Sequence, residues 1–165
     1  MDSSVRDATI EADAPGRADG LSSAAPYERD IYAWALQQGA LLRAGRLQEI
    51  DARNIAEEIE SLARSEFDKL ASAYRVILTH MLKWDHQPGR RSRSWPTSIA
   101  VQRLNVEDIL SDSPGMKSRV EEALLRAYRQ ARLHAAGQTR LRVGTFPAER
   151  PYAHGEIMER AFEID

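Results

Sequence analysis

The chain has 165 residues, of which 42% are hydrophobic, 29% charged and 7% aromatic, and it has no cysteine. This suits one globular domain with a tail, and it excludes disulfide scaffolds, thiolate metal centres, iron–sulfur clusters and cysteine nucleophiles. The net charge of −2 speaks against indiscriminate nucleic-acid binding, and the longest apolar run, Ile31 to Leu36, is six residues, far short of the roughly 20 of a membrane-spanning helix.

Residues 1 to 25 are rich in Ser, Ala, Gly and Pro and carry Asp2, Asp7, Glu11, Asp13 and Asp19. They bury too little apolar surface to offset ordering entropy and lack the apolar core of a secretory signal. A disordered leader and a cytoplasmic protein are expected, with residues 26–165 as a single helical domain.

A first helix is predicted from about Tyr27 to Ala44. Ile31, Trp34, Ala35, Leu41 and Leu42 form its apolar stripe, and Gln38 occupies one polar slot in it. Gly45 stands where a left-handed stop residue is wanted. A second, long helix runs from an N-cap at Asp51, with Asn54 as a rival cap, to Pro88. Ala56, Ile59, Ala63, Phe67, Leu70, Tyr74, Ile77, Met81 and Trp84 step by three or four along it. Its C-terminal half is apolar on several sides and predicts the centre of the core.

A third helix is expected near Trp95, with Ser94 as N-cap, Pro96 in the first turn and Ile99, Val106, Ile109 and Leu110 facing inward. Ser113-Pro114 repeats that start signal. A fourth helix follows to about Ala136, stopped by Gly137 and carrying a Glu122–Arg126 pair of the favourable order. Leu141 to Phe146 predicts a short extended segment, and Glu156 to Phe162 a last short helix. The fold class expected is all-α: a four-helix up-and-down bundle with one long central helix and a short C-terminal appendage.

Charge is unevenly spread. Lys83 to Arg103 carries five basic residues against Asp85, and Arg126 to Arg150 carries six arginines against Glu149. The stretch Lys83, Trp84, Arg90, Arg91, Arg93 and Trp95 interleaves aromatic and basic side chains, which can stack on rings and grip anions. A structural use is open beside this one, because Trp84 falls on the core stripe and the arginines can satisfy helix-end carbonyls.

Glu57, Glu58 and Glu60 form an acidic cluster, with Glu57 and Glu60 on one helix face. His80 lies twenty residues beyond Glu60, about 30 Å along a straight helix, so the two cannot share a site on it. Ion pairs to Arg29, Arg43 or Arg64, or a solvated face, account for the acids more simply. His80 itself reads first as a core histidine and only second as a ligand. No metal, cofactor, phosphate loop, nucleophile elbow or kinase signature is indicated.

Five spaced motifs carry a resemblance: Tyr27-Glu28-x-Asp30-x-x-x-Trp34, Leu42-Arg43-x-Gly45, Asp51-x-x-Asn54-Ile55-Ala56-Glu57-Glu58-Ile59-Glu60, His80-Met81-Leu82-Lys83-Trp84 and Arg91-Ser92-x-Ser94-Trp95-x-x-x-Ile99. In that order they resemble the bacterial family catalogued as domain of unknown function 29. The likeness spans about Tyr27 to Tyr152, with Ile55 where leucine is common and Asp85-His86 at a spot often held by an aromatic. It implies a compact all-helical protein and no particular activity.

The expectation is a non-catalytic interaction module. Its surface, built from Lys83, Trp84, Arg90, Arg91, Arg93 and Trp95, would bind an acidic protein or a nucleic-acid segment. A metal binder or enzyme using Glu57, Glu60 and His80, and a small antitoxin-like regulator, are the alternatives.

Overall fold

The computed structural model describes residues 27–163, so the expected leader over residues 1–25 lies outside the described residues. The chain folds into α1 (Ile31–Arg43), α2 (Ala52–His86), α3 (Ser94–Asp112), α4 (Val120–Thr139) and α5 (His154–Glu159), with short 3₁₀ turns at Pro88–Arg90, Pro114–Arg119 and Val143–Thr145. There is no strand among the described residues, and the protein is an all-α bundle. No described helix is long and apolar enough to cross a membrane. The chain divides into two compact units between Asn54 and Ile55, and each is described by itself.

In the first unit α1 begins later than the periodicity implied. It starts at Ile31 rather than about Tyr27, and Asp30 caps it, with Oδ1 accepting from the Ala33 amide at 2.9 Å. A short acceptor side chain beside unpaired amides explains the shift. Trp34 and Gln38 are buried, while Ile31 and Leu42 are exposed, so the buried line is narrower than the apolar stripe.

Gln38, the polar slot, accepts from the Asp51 amide at 2.8 Å through Oε1. Asp51 accepts from the Asn54 amide (3.2 Å), from Asn54 Nδ2 (2.6 Å) and from Trp34 Nε1 (3.3 Å). Asp51 is therefore the cap, and Asn54 is its partner rather than a rival. Those hydrogen bonds, the one from the Asn54 side chain foremost, hold the Asp51 carboxyl below its usual range. Gly45 has φ +69° and takes the left-handed stop as expected.

In the second unit the core is built around the C-terminal half of α2. Leu70, Tyr74, Ile77, Leu78, Met81 and Leu82 are fully buried and cluster with Ile99 and Val106 of α3 and Leu124, Ala127, Ala131 and Ala135 of α4. α2 is one unbroken helix of 35 residues, about 50 Å long. The apolar periodicity overstates its burial: the core begins at Phe67, whereas Ile59 and Leu62 are 64% and 65% exposed. Periodicity reports which residues share a face, and contact with other elements decides whether the face is covered.

Four local expectations are corrected. Ser94 is the first residue of α3 rather than its side-chain cap, and its hydroxyl lies 2.8 Å from that of Ser92. α4 runs through Gly137 to Thr139, and Arg140 takes the left-handed position at φ 61°. Two tertiary bonds carry the helix past glycine: Gln87 Nε2 donates to the Thr139 carbonyl (3.1 Å) and Lys83 Nζ donates to Gln138 Oε1 (2.8 Å), while within α4 Thr139 Oγ1 donates back to the Ala135 carbonyl (2.7 Å). Glu122 pairs with Arg119 at 2.7 Å, while Arg126 turns to Asp68 at 2.5 Å. The last helix is His154–Glu159 rather than Glu156 to Phe162.

The segment Leu141 to Phe146 is extended only at its flanks, with a 3₁₀ turn between. Tyr128 donates to the Pro147 carbonyl at 2.8 Å, and Arg132 Nη2 to the Phe146 carbonyl at 3.1 Å. These bonds fix the segment to α4 and leave it no strand partner.

Candidate functional site

The aromatic-basic segment lies at the end of α2, the connector and the start of α3, and its six residues divide into two sets. Lys83, Trp84 and Trp95 are buried, whereas Arg90, Arg91 and Arg93 are exposed. The division follows from the helix period: positions 81 to 84 lie where α2 is enclosed on all sides, and the polar connector cannot enter a core without leaving backbone groups unpaired.

The buried set is a polar inclusion in the core. The Lys83 ammonium lies 4.4 Å from the centroid of the Trp95 ring and donates to Gln138 Oε1 at 2.8 Å. Cation–π attraction and one acceptor replace its lost water. Burial lowers its pKa from the ordinary lysine value.

His80 lies against the same indole, with ring centroids 6.3 Å apart and the planes tilted at 41°. Its buried Nδ1 has no hydrogen-bond partner among the described residues. Burial first, and the charge of Lys83 second, push its pKa down to about 4. The imidazole is therefore neutral at pH 7.

A pH dependence follows. An unfolded histidine takes up its proton near pH 6.5, whereas folded His80 does so only near pH 4. The unfolded state binds more protons in that window. Stability is therefore full above pH 6.5 and falls as the pH drops toward 4, with a slope of at most about 1.4 kcal/mol per pH unit for one proton. Melting curves between pH 7 and 5 are expected to show wild type losing stability faster than His80→Gln. Parallel curves would show that His80 is not the group responsible.

The exposed set is held out by this inclusion. The Arg91 guanidinium lies 4.6 Å from the Trp84 ring centroid, and its Nε donates to the Trp84 carbonyl at 3.2 Å. One helix-end carbonyl is thus satisfied by an arginine, as the structural use predicts. The Pro88–Arg90 turn and the Arg93 carbonyl, which accepts from Thr97 Oγ1 at 3.0 Å, fix the connector backbone. No carboxylate among the described residues forms an ion pair with Arg90, Arg91 or Arg93.

The acidic cluster lies elsewhere. Glu57 and Glu60 are on the exposed N-terminal stretch of α2, and Glu60 pairs with Arg64 at 3.5 Å. With α2 unbroken, Glu60 and His80 remain about 30 Å apart, so the helix does not bring them to one site. Among the described residues no group of three His, Asp or Glu is placed to hold a metal ion.

Two arrangements that join α2 to the C-terminal segment have little trace in the sequence. Asp85 accepts from Tyr152 (2.7 Å) and, through both oxygens, from Arg160 (2.6 and 3.1 Å). Burial pushes the Asp85 carboxyl up, but hydrogen bonds from Arg160 and Tyr152 outweigh it and leave the pKa lowered. Burial and the Asp85 charge raise the Tyr152 phenol. Tyr74 Oη lies 2.9 Å from His154 Nε2, and burial pushes that phenol up to about 12. These pairs bridge 67, 75 and 80 residues. The one signal was Asp85 itself, a lone acid in a basic stretch.

No curated protein and no solved structure matches the chain. A family model, described as "Domain of unknown function DUF29", matches residues 26–163. All but the first 25 and last two residues fall within that match, and the chain belongs to this family.

Proposed function

We propose that the protein is a helical interaction module whose connector between α2 and α3 docks an acidic protein surface through Arg90, Arg91 and Arg93. The single observation carrying this reading is three exposed guanidinium groups within four residues that no described carboxylate pairs with. Guanidinium is weakly hydrated and forks onto carboxylates, so unpaired arginines on an ordered connector suit an anionic partner. Lys83, Trp84 and Trp95, expected in the contact surface, instead support it from below: Trp84 holds Arg91, and Trp95 starts α3 over Lys83. The net charge of −2 favours a local acidic patch over a nucleic-acid backbone as partner.

The test compares wild type with the Arg90→Ala, Arg91→Ala, Arg93→Ala triple variant. Anisotropy titrations use a labelled polyglutamate peptide and a labelled single-stranded oligonucleotide, alongside pull-downs from native lysate. The peptide is expected to bind wild type about tenfold or more tightly than the variant, with the difference shrinking as salt rises. Equal affinity and equal salt dependence would overturn the proposal. Tighter binding of the oligonucleotide, with a salt slope reduced by the substitutions, would move the partner to nucleic acid.

A further inference from the structure

A second basic cluster lies on α4, apart from the connector. Arg126, Arg129 and Arg132 recur at steps of three and, with Gln130, Leu133 and Val143, line a cleft of about 560 Å³. That volume is in the range of small-molecule sites, roughly 300–1,000 Å³. No carboxylate is among the lining residues. Arg126 is already engaged by Asp68, whereas Arg129 and Arg132 form no ion pair among the described residues.

Arg132 is the better fixed of the two. Its Nη2 donates to the Phe146 carbonyl at 3.1 Å and the Val143 carbonyl at 3.4 Å. Its buried Nε has no partner, an uncommon state for a charged donor. Leu133 and Val143 are 64% and 42% exposed. Pre-oriented guanidinium beside accessible apolar side chains matches a ligand that is anionic at one end and apolar or planar at the other.

We infer that this cleft binds a phosphorylated small molecule of nucleotide size, its phosphates on Arg129 and Arg132 and its apolar part against Leu133 and Val143. The pairing follows from chemistry: fork-shaped donors match phosphate oxygens bidentately, and the apolar walls contribute nothing to a bare ion.

Calorimetric titration of the full chain with ATP, pyrophosphate and adenosine tests this. ATP is expected to bind, pyrophosphate to bind several-fold more weakly, and adenosine not to bind measurably. Arg129→Gln, at an exposed position that forms no ion pair among the described residues, is expected to weaken ATP about tenfold. Leu133→Ser is expected to weaken ATP and leave pyrophosphate unchanged. Arg93→Gln on the connector is expected to leave all three unchanged, which separates this site from the connector proposal. No heat with ATP up to about 1 mM, or an ATP affinity that Arg129→Gln does not alter, would overturn the inference. Pyrophosphate binding as tightly as ATP would also overturn it, as would a single-stranded oligonucleotide binding more tightly than ATP with a steep salt slope.

Discussion

Asp85→Ala is expected to destabilise the second unit by about 2–3 kcal/mol and to loosen the chain beyond Pro147. Asp85 is the shared acceptor for Tyr152 and for both Nη atoms of Arg160. Removing it leaves a buried phenol without its acceptor and a half-buried guanidinium with only the longer ion pair to Glu156 at 3.6 Å. Breaking one partner of a fully buried pair costs about 3–5 kcal/mol. Here the two charged side chains are 27% and 29% exposed, which is why the lower figure applies.

The loss should be local in its first stage. The segment His154 to Phe162 is held by three further groups. Arg103 donates to the Ile157 and Arg160 carbonyls at 2.8 and 2.9 Å, Tyr74 meets His154, and Phe162 packs edge-on against Trp84 at 5.3 Å between centroids. Thermal melting gives the total, and amide exchange gives the location. Exchange in residues 152–162 should accelerate well before that of residues 74–82. An unchanged melting temperature, or uniform acceleration across the unit, would contradict the role given to Asp85. Because the folded Asp85 carboxyl titrates below its ordinary value of 3.8, its contribution is present above that pH. It is lost as the pH falls below 3.8, so wild type and variant should converge in acid.

Trp95→Ala is expected to cost about 3–4 kcal/mol, in the range of large-to-small aromatic truncation. Trp95 is 9% exposed and covers both Lys83 and His80. Truncation leaves a cavity and removes the ring face that replaces part of the hydration of Lys83. A second readout separates this from simple loss of packing. With the indole gone, water reaches the ammonium, and the pKa of Lys83, now lowered by burial, should rise toward 10.5. Isotope-edited NMR of the lysine side chain can follow that titration. Trp95→Phe keeps a ring and should retain most of the stability and the lowered pKa. A lysine pKa indifferent to the alanine variant would show that the ring does not shield it.

The two substitutions probe residues of very different visibility in the sequence. The place of Trp95 was legible but its burial was not: serine and proline around it mark a helix start, and α3 begins at Ser94, whereas Trp95 was expected in the contact surface and is 9% exposed. The length of α2, the core at Leu70 to Trp84 and the start signal at Asp51 were legible for the same reason, whereas Ser113-Pro114 opens a 3₁₀ turn and α4 starts only at Val120. Periodicity, capping chemistry and proline act within a few residues of themselves. Asp85 was not legible, because its partners lie 67 and 75 residues away and a single acid in a basic run has no local geometry that names them. Gln138 as the acceptor for Lys83 was hidden in the same way.

The candidate site shows the same boundary. Composition and order marked Lys83 to Trp95 as unusual, but they treated six residues as one surface. Three of them are interior, and the reason is topological: the end of α2 is enclosed by α3, α4 and the C-terminal segment. The cleft on α4 was visible only as a surplus of arginine between Arg126 and Arg150. Its shape depends on Val143 returning beside Leu133, a return fixed by Arg132 and Tyr128 binding backbone carbonyls beyond the helix.

The sequence by itself determined the all-α class, the rod-like α2, the left-handed Gly45 and the basic bias of two segments, since each depends on neighbours in the chain. Only the tertiary structure decided which arginines face water, which carboxylate joins Tyr152 to Arg160, and how far α4 extends past Gly137. Those outcomes depend on groups brought together from distant positions, and burial, not sequence spacing, sets the strength of their interactions.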